Sequence, residues 1–134
     1  MLNDDALIIG VEDYRAFDPA RQSNASTPKE TIMSRIIAGY VGSAGNIVSS
    51  SPSGSFSVVR VGQGLYEVTF RDSFSIEPAA AATQIRDDGG DGQGANTKAN
   101  VTMPILERSR VRFKTGNSDG NAVNRDFSFI VVGS

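Results

Sequence analysis

The chain is 134 residues long and carries 13 basic and 15 acidic side chains, a formal net charge of −2. That length suits one domain with a real hydrophobic core, and the charge balance offers no basic field for tracking nucleic-acid phosphates. It has neither Cys nor His, which removes disulfides, thiolate zinc sites, imidazole metal ligands and Cys-His or Ser-His-Asp catalysis, and leaves only carboxylate, Lys, Tyr and hydroxyl chemistry.

The first apolar run, Ala6 to Val11, is far shorter than the ~20 residues a bilayer span requires. It follows Asn3, Asp4 and Asp5 rather than a basic segment, and no small-residue cleavage site comes after it, so neither membrane insertion nor an ordinary signal peptide is expected. The run reads as a short strand or clip leading into a polar linker that extends through Asp18-Pro19 and Gln22 to Thr27. Thr27-Pro28-Lys29-Glu30 has the form of a capped helix start. Ile32, Met33, Ile36, Ile37 and Tyr40 then recur at helical spacing, while Ile36, Ile37, Tyr40 and Val41 favour a strand and Gly39 is poor inside a helix. The reading taken is a short helical turn giving way to a strand.

From residue 34 onward the pattern is β. Short runs at Ile36 to Val41, Gly45 to Val48, Ser55 to Val61, Leu65 to Phe70, Ala79 to Ile85, Ala99 to Pro104, Arg110 to Thr115 and Phe127 to Val132 are separated by Gly, Ser, Asn, Asp or Pro. Eight such runs predict an all-β antiparallel sandwich or barrel, here a jelly-roll-like β-sandwich over residues 35–134 with an extended N-terminal segment over 1–34. Phe56, Tyr66, Phe70, Phe113, Phe127 and Phe129 fall at strand spacing and read as core or interface anchors. The last strand is apolar on both faces, which predicts burial within the sheet or in a subunit contact. Asn117 to Asn121 reads as the loop joining the last two strands.

Ala38-Gly39-Tyr40-Val41, Gly45-Asn46-Ile47-Val48, Ser53-Gly54-Ser55-Phe56-Ser57-Val58, Gly62-Gln63-Gly64-Leu65-Tyr66-Glu67-Val68-Thr69-Phe70, Phe74, Pro78 and the closing Phe127-Ser128-Phe129-Ile130-Val131-Val132-Gly133 together resemble a β-sandwich module of bacteriophage and phage-like tail fibres and surface appendages. The resemblance covers residues 35–134 and consists of packing and turn residues, so it bears on architecture more than on function. It implies a homotrimeric head, similar in shape to complement-component and tumour-necrosis-factor heads and to H-type lectins. The segment Ala6 to Tyr14 is instead similar to the first strand of bacterial caspase-like peptidases, whose catalysis needs the His and Cys that this chain lacks.

Candidate sites follow. Arg108, Arg110, Arg112 and Lys114 alternate with Ser109, Val111, Phe113 and Thr115, and four cations on one face could bind an acidic glycan or phosphate, or pair with carboxylates of a neighbouring strand or subunit. Asp87, Asp88 and Asp91 could hold calcium on a glycine-bent loop, but the EF-hand spacing fails and a solvated loop is the favoured reading. Asn117, Asp119 and Asn121 fail the same test. Leu7, Ile8, Ile9, Val11, Tyr14 and Phe17 are candidate anchors onto a capsid or tail component, and Phe127, Phe129 and Val131 onto sister subunits. No two acids are fixed at a glycosidase-like separation. The expectation is a non-enzymatic, cofactor-free virion or phage-like-particle protein, of tail-fibre, head-fibre or decoration type. A lectin-like glycan-binding module is the alternative.

Overall fold

The computed structural model describes residues 34–85, 92 and 96–134. The clip residues Leu7, Ile8, Ile9, Val11, Tyr14 and Phe17, the capped helix start at 27–30 and the acidic loop carrying Asp87, Asp88 and Asp91 lie outside them. Within the described residues there are eight strands: β1 (Arg35–Val41), β2 (Ile47–Ser51), β3 (Phe56–Gly62), β4 (Leu65–Phe70), β5 (Ala79–Ile85), β6 (Asn100–Leu106), β7 (Arg110–Gly116) and β8 (Asp126–Gly133). All pairings are antiparallel. They form two four-stranded sheets, ordered β2-β1-β8-β5 and β3-β4-β7-β6. The fold is an all-β antiparallel sandwich, and Ile36, Ile37 and Tyr40, which also fit a helical spacing, are strand residues.

The core follows from period-two alternation. Ile37 and Val41 from β1, Phe127, Phe129 and Val131 from β8, Phe56 from β3, Tyr66, Val68 and Phe70 from β4, and Val111 and Phe113 from β7 are all buried. Phe113 stacks obliquely on Phe127 and Phe129, with ring centroids 5.2 Å apart in both pairs. Phe129 also meets the edge of Phe56 at 5.0 Å and Phe127 meets Tyr66 at 5.0 Å, so rings of β8 interlock with rings of three strands in the opposite sheet. Phe127, Phe129 and Val131 are 0 %, 4 % and 0 % exposed. Their assignment to a subunit contact is therefore corrected: they hold the two sheets of one molecule together. Ile130 and Val132, of the opposite parity, reach solvent.

Gly39 is the residue that lets these rings close. A Cβ built there would lie 2.5 Å from Cζ of Phe56 and 2.7 Å from Cε2 of Phe129, closer than any methyl group tolerates. The glycine that weakens a helical reading of this segment is thus the floor of an aromatic pair in a strand. Phe74, off the strands, closes one end of the core by meeting Phe70 edge-on at 5.1 Å, and the Arg35 guanidinium sits 4.2 Å above its ring.

The other end is closed by polar groups. Thr115, fully buried, donates from its backbone N to Gly64 O (2.7 Å) and from its hydroxyl to Val123 O (2.6 Å). Gly64 N donates to Asn124 Oδ1 (2.6 Å), which pins the tip of the β3-β4 hairpin to the β7-β8 connection. The Tyr66 hydroxyl donates to Ser43 O (2.7 Å), and burial pushes its titration above the ordinary tyrosine range. Gln84 Nε2, on β5, donates to Asn100 O (2.7 Å) and Gly116 O (2.6 Å), bridging the two sheets where their edges approach.

Replacing Gly39 by Ala should force the Phe56–Phe129 pair apart. We expect Gly39→Ala to lower unfolding free energy by about 1–3 kcal/mol through overpacking, measured by urea denaturation. Ala38→Gly, on the outward side of the same strand, should cost only about 0.5–1 kcal/mol.

Candidate functional site

The two outer faces of the sandwich differ in chemistry. On the β3-β4-β7-β6 sheet the outward rows are charged: Glu67 lies opposite Val59 on β3 and Arg112 on β7, Thr69 lies opposite Arg110, and Leu65 lies opposite Lys114. Glu67 Oε1 accepts from Arg112 Nε (2.7 Å) and from Arg110 Nη1 (2.9 Å). Arg110 also donates through Nε to Glu107 Oε1 (2.9 Å).

The basic quartet is thereby divided. Arg110 and Arg112 are partners of Glu67 within one molecule. Arg108 is not on the strand but in the β6-β7 turn, where its Nη1 donates to Ser75 O (3.2 Å). Lys114 alone of the four stands apart, and it lines a cleft with Lys98, Asn100 and Asn117. The four cations do not form one binding face. Glu67, the residue that divides them, carries no signal of this role in the sequence, because strand periodicity does not give the register that sets it opposite Arg112.

On the β2-β1-β8-β5 sheet the outward rows are Ile36, Val132 and Ala79; then Ser51, Ala38, Ile130 and Ala81; then Ser49, Tyr40, Ser128 and Thr83. None of these positions is charged. Ile36, Ile130 and Val132 are 53 %, 42 % and 37 % exposed, and Ala79 and Ala81 are exposed beside them. The first charge along this side is Asp126, beyond the last row, and its carboxylate accepts from Ser43 N (2.8 Å) and the Tyr40 hydroxyl (3.2 Å). The small side chains leave two shallow depressions of about 290 and 280 Å³ on either side of Ser128, bordered by Ala38 and Tyr40 in one case and by Ala81 and Ile130 in the other. The face therefore carries protruding branched side chains and shallow hollows side by side.

The Asn117–Asn121 loop is a self-contained turn. Asn117 Oδ1 accepts from Asp119 N and Asn121 N, both at 3.0 Å, so its oxygen is engaged by the backbone and not offered to a cation. Among the described residues no group of three or more acidic side chains is placed to hold a metal ion. Comparison of the chain with protein-family models, with curated proteins and with solved structures finds no match in any of the three.

The two guanidinium donors hold the Glu67 carboxyl below the ordinary glutamate range, the hydrogen bond from Arg112 being the largest cause. A folded-state value below the unfolded one gives stability that is complete above the ordinary range, about pH 4–5, and is lost as pH falls through the lowered value. We therefore expect wild-type stability to fall more steeply than that of Glu67→Gln as pH drops below 4, the two urea midpoints approaching each other in acid. Parallel pH profiles would refute a role for the fork.

Proposed function

We propose that the chain is a non-enzymatic structural protein of a virion or phage-like particle, of tail-fibre, head-fibre or decoration type. In this reading residues 1–34 attach it to a capsid or tail component, and the sandwich is a homotrimeric head. The observation that carries the reading is the uncharged, partly apolar outer face of the β2-β1-β8-β5 sheet.

The argument for a copy of the same chain as the occupant is electrostatic and steric. In a homotrimer the surfaces close to the three-fold axis meet copies of themselves, so charges placed there meet their own kind. The outer face of the β3-β4-β7-β6 sheet would bring Glu67, Arg110 and Arg112 up against copies of themselves or strip them of water, which is costly. The face of Ile36, Ile130 and Val132 incurs no such cost, and the depressions beside Ser128 leave room for side chains of a facing surface. Exposed branched side chains on a face without charge, bordered by Ser49, Ser51 and Thr83, are the pattern of an association site; Val59 and Val61, exposed on the other sheet, stand beside Glu67 and Arg112 instead. The sequence resemblance to trimeric phage modules agrees with a closed ring, in which multivalency strengthens attachment of the particle.

Mass photometry and sedimentation velocity of the full chain at micromolar concentration should give three times the mass of one chain. Ile130→Asp combined with Val132→Asp should shift the population to single chains while leaving the β-sheet circular dichroism in place, because both side chains lie outside the core. A wild-type chain that sediments as a monomer, or a double variant that assembles unchanged, would count decisively against the proposal.

A further inference from the structure

The geometry points to an acidic-saccharide site in the cleft between the start of β6, the end of β7 and the turn that follows. The cleft has a volume of about 430 Å³ and is lined by Lys98, Asn100, Thr102, Lys114, Asn117 and Ser118, with backbone of Gly116 and Gly120. That volume lies within the ~300–1,000 Å³ of small-molecule sites and far exceeds the ~30 Å³ share of one water. It belongs to the sheet that the proposed trimer contact does not use.

In the cleft the donors remain on offer while the amide oxygens are already engaged. The Asn117 oxygen is occupied by two backbone N–H groups of its own turn, and the Asn100 oxygen accepts from Val101 N at 2.8 Å. Each amide therefore has its NH₂ left to offer. Thr102 and Ser118 add hydroxyls, and Lys98 and Lys114 add ammonium groups. Among the described residues neither ammonium has a carboxylate within ion-pair distance, in contrast to Arg110 and Arg112 on the same sheet. The turn's own acid, Asp119, is not part of the lining.

Such a set selects a ligand dense in acceptor oxygens and carrying negative charge. No aromatic ring lines the cleft, so a nucleobase or a neutral sugar would find no stacking surface. Two lysines fit one anionic group rather than a phosphate track, and the chain's net charge of −2 opposes a long polyanion. An acidic sugar satisfies all of this. Its carboxylate or sulfate bridges Lys98 and Lys114, and its ring hydroxyls accept from Asn100, Asn117, Thr102 and Ser118.

The walls are fixed before any ligand arrives. Thr102 and Lys114 are cross-strand partners. The turn is held by Asn117 N donating to Asn121 O (2.9 Å), Gly120 N donating to Asn117 O (3.0 Å) and the bridge from Gly116 to Ala122. Preorganisation of this sort reduces the ordering cost of binding.

The test is a ¹⁵N-resolved NMR titration of the full chain with a hexuronate tetrasaccharide, a sulfated tetrasaccharide, the carboxyl-reduced neutral tetrasaccharide, and inorganic sulfate at matched ionic strength. We expect one or both acidic sugars to shift the amides of residues 98–102 and 114–120, with the neutral sugar silent. Lys98→Gln and Lys114→Gln should each weaken binding about tenfold, while Arg71→Gln, which removes an exposed cation elsewhere, should leave it unchanged. Equal response to the neutral sugar, equal response to sulfate alone, retention of binding in the double lysine variant, or silence with every acidic sugar would each overturn the proposal.

Discussion

Every outward surface of this sandwich is set by the interlocking of Phe127 and Phe129 with Phe113, Tyr66 and Phe56 across the two sheets. Because successive strand residues point to opposite sides, committing these two rings to the interior commits Ser128, Ile130 and Val132 to the exterior. Antiparallel register then carries the choice sideways. Ile36, Ala38 and Tyr40 on β1 and Ala79, Ala81 and Thr83 on β5 lie opposite the outward residues of β8 and must share their side. A one-residue slip of β8 would bury Ser128 and expose two phenylalanines, so register and face are fixed together. Gly39 completes the arrangement, since it occupies the inward position where any side chain would collide with the ring pair.

The same logic explains why the two outer faces differ. On the opposite sheet Val111, Phe113 and Thr115 point inward, which turns Arg110, Arg112 and Lys114 outward as a row. Two of the three cations share the Glu67 carboxylate on the neighbouring strand, and Arg110 is paired with Glu107 as well, giving a hydrated, internally paired surface. The β1-β8-β5 face has no counterpart to that ion pairing, because its rows contain no charged side chain. A sandwich with one solvated charged face and one uncharged face has a direction, and the direction is encoded by which parity of each strand carries the charge.

Much of this was legible in the sequence, and the failures have physical causes. β4 and β5 are legible at their bounds because Gly64 and Pro78 mark their starts, with clean alternation in β4 as a further signal. The sequence pattern puts β2 at Gly45 to Val48 and the structure at Ile47–Ser51, since a serine run has little strand propensity of its own and is held by its ladder with β1. Pro104 marks the expected end of β6, yet the strand continues to Leu106. A proline is accommodated there because β6 is an edge strand and its register shifts between Thr102 and Ile105. The site residues were harder. That β8 is apolar on both sides was visible, but assigning the aromatic parity to a subunit contact inverted it, where aromatic bulk should have argued for the interior. Glu67, Gln84 and Lys98 act through partners 16 to 45 residues away or through a turn, distances at which strand periodicity carries no information.

The edges of the sheets bear on how such a body can associate. An open edge invites pairing with another chain, and three of the four edge strands here are irregular. The β1-β2 ladder shifts between Tyr40 and Val41, the β3-β4 ladder between Arg60 and Gly62, and β6 carries both its shift and Pro104. The remaining edge, β5, pairs regularly with β8, but Gln84 ties it across to Asn100 and Gly116 of the other sheet. Edge-to-edge extension, the route to open fibres, is therefore discouraged on each flank by a bulge, a proline or a bridging side chain. A body that blunts its edges while leaving Ile36, Ile130 and Val132 uncovered is more open to contact through that uncharged face than through its edges.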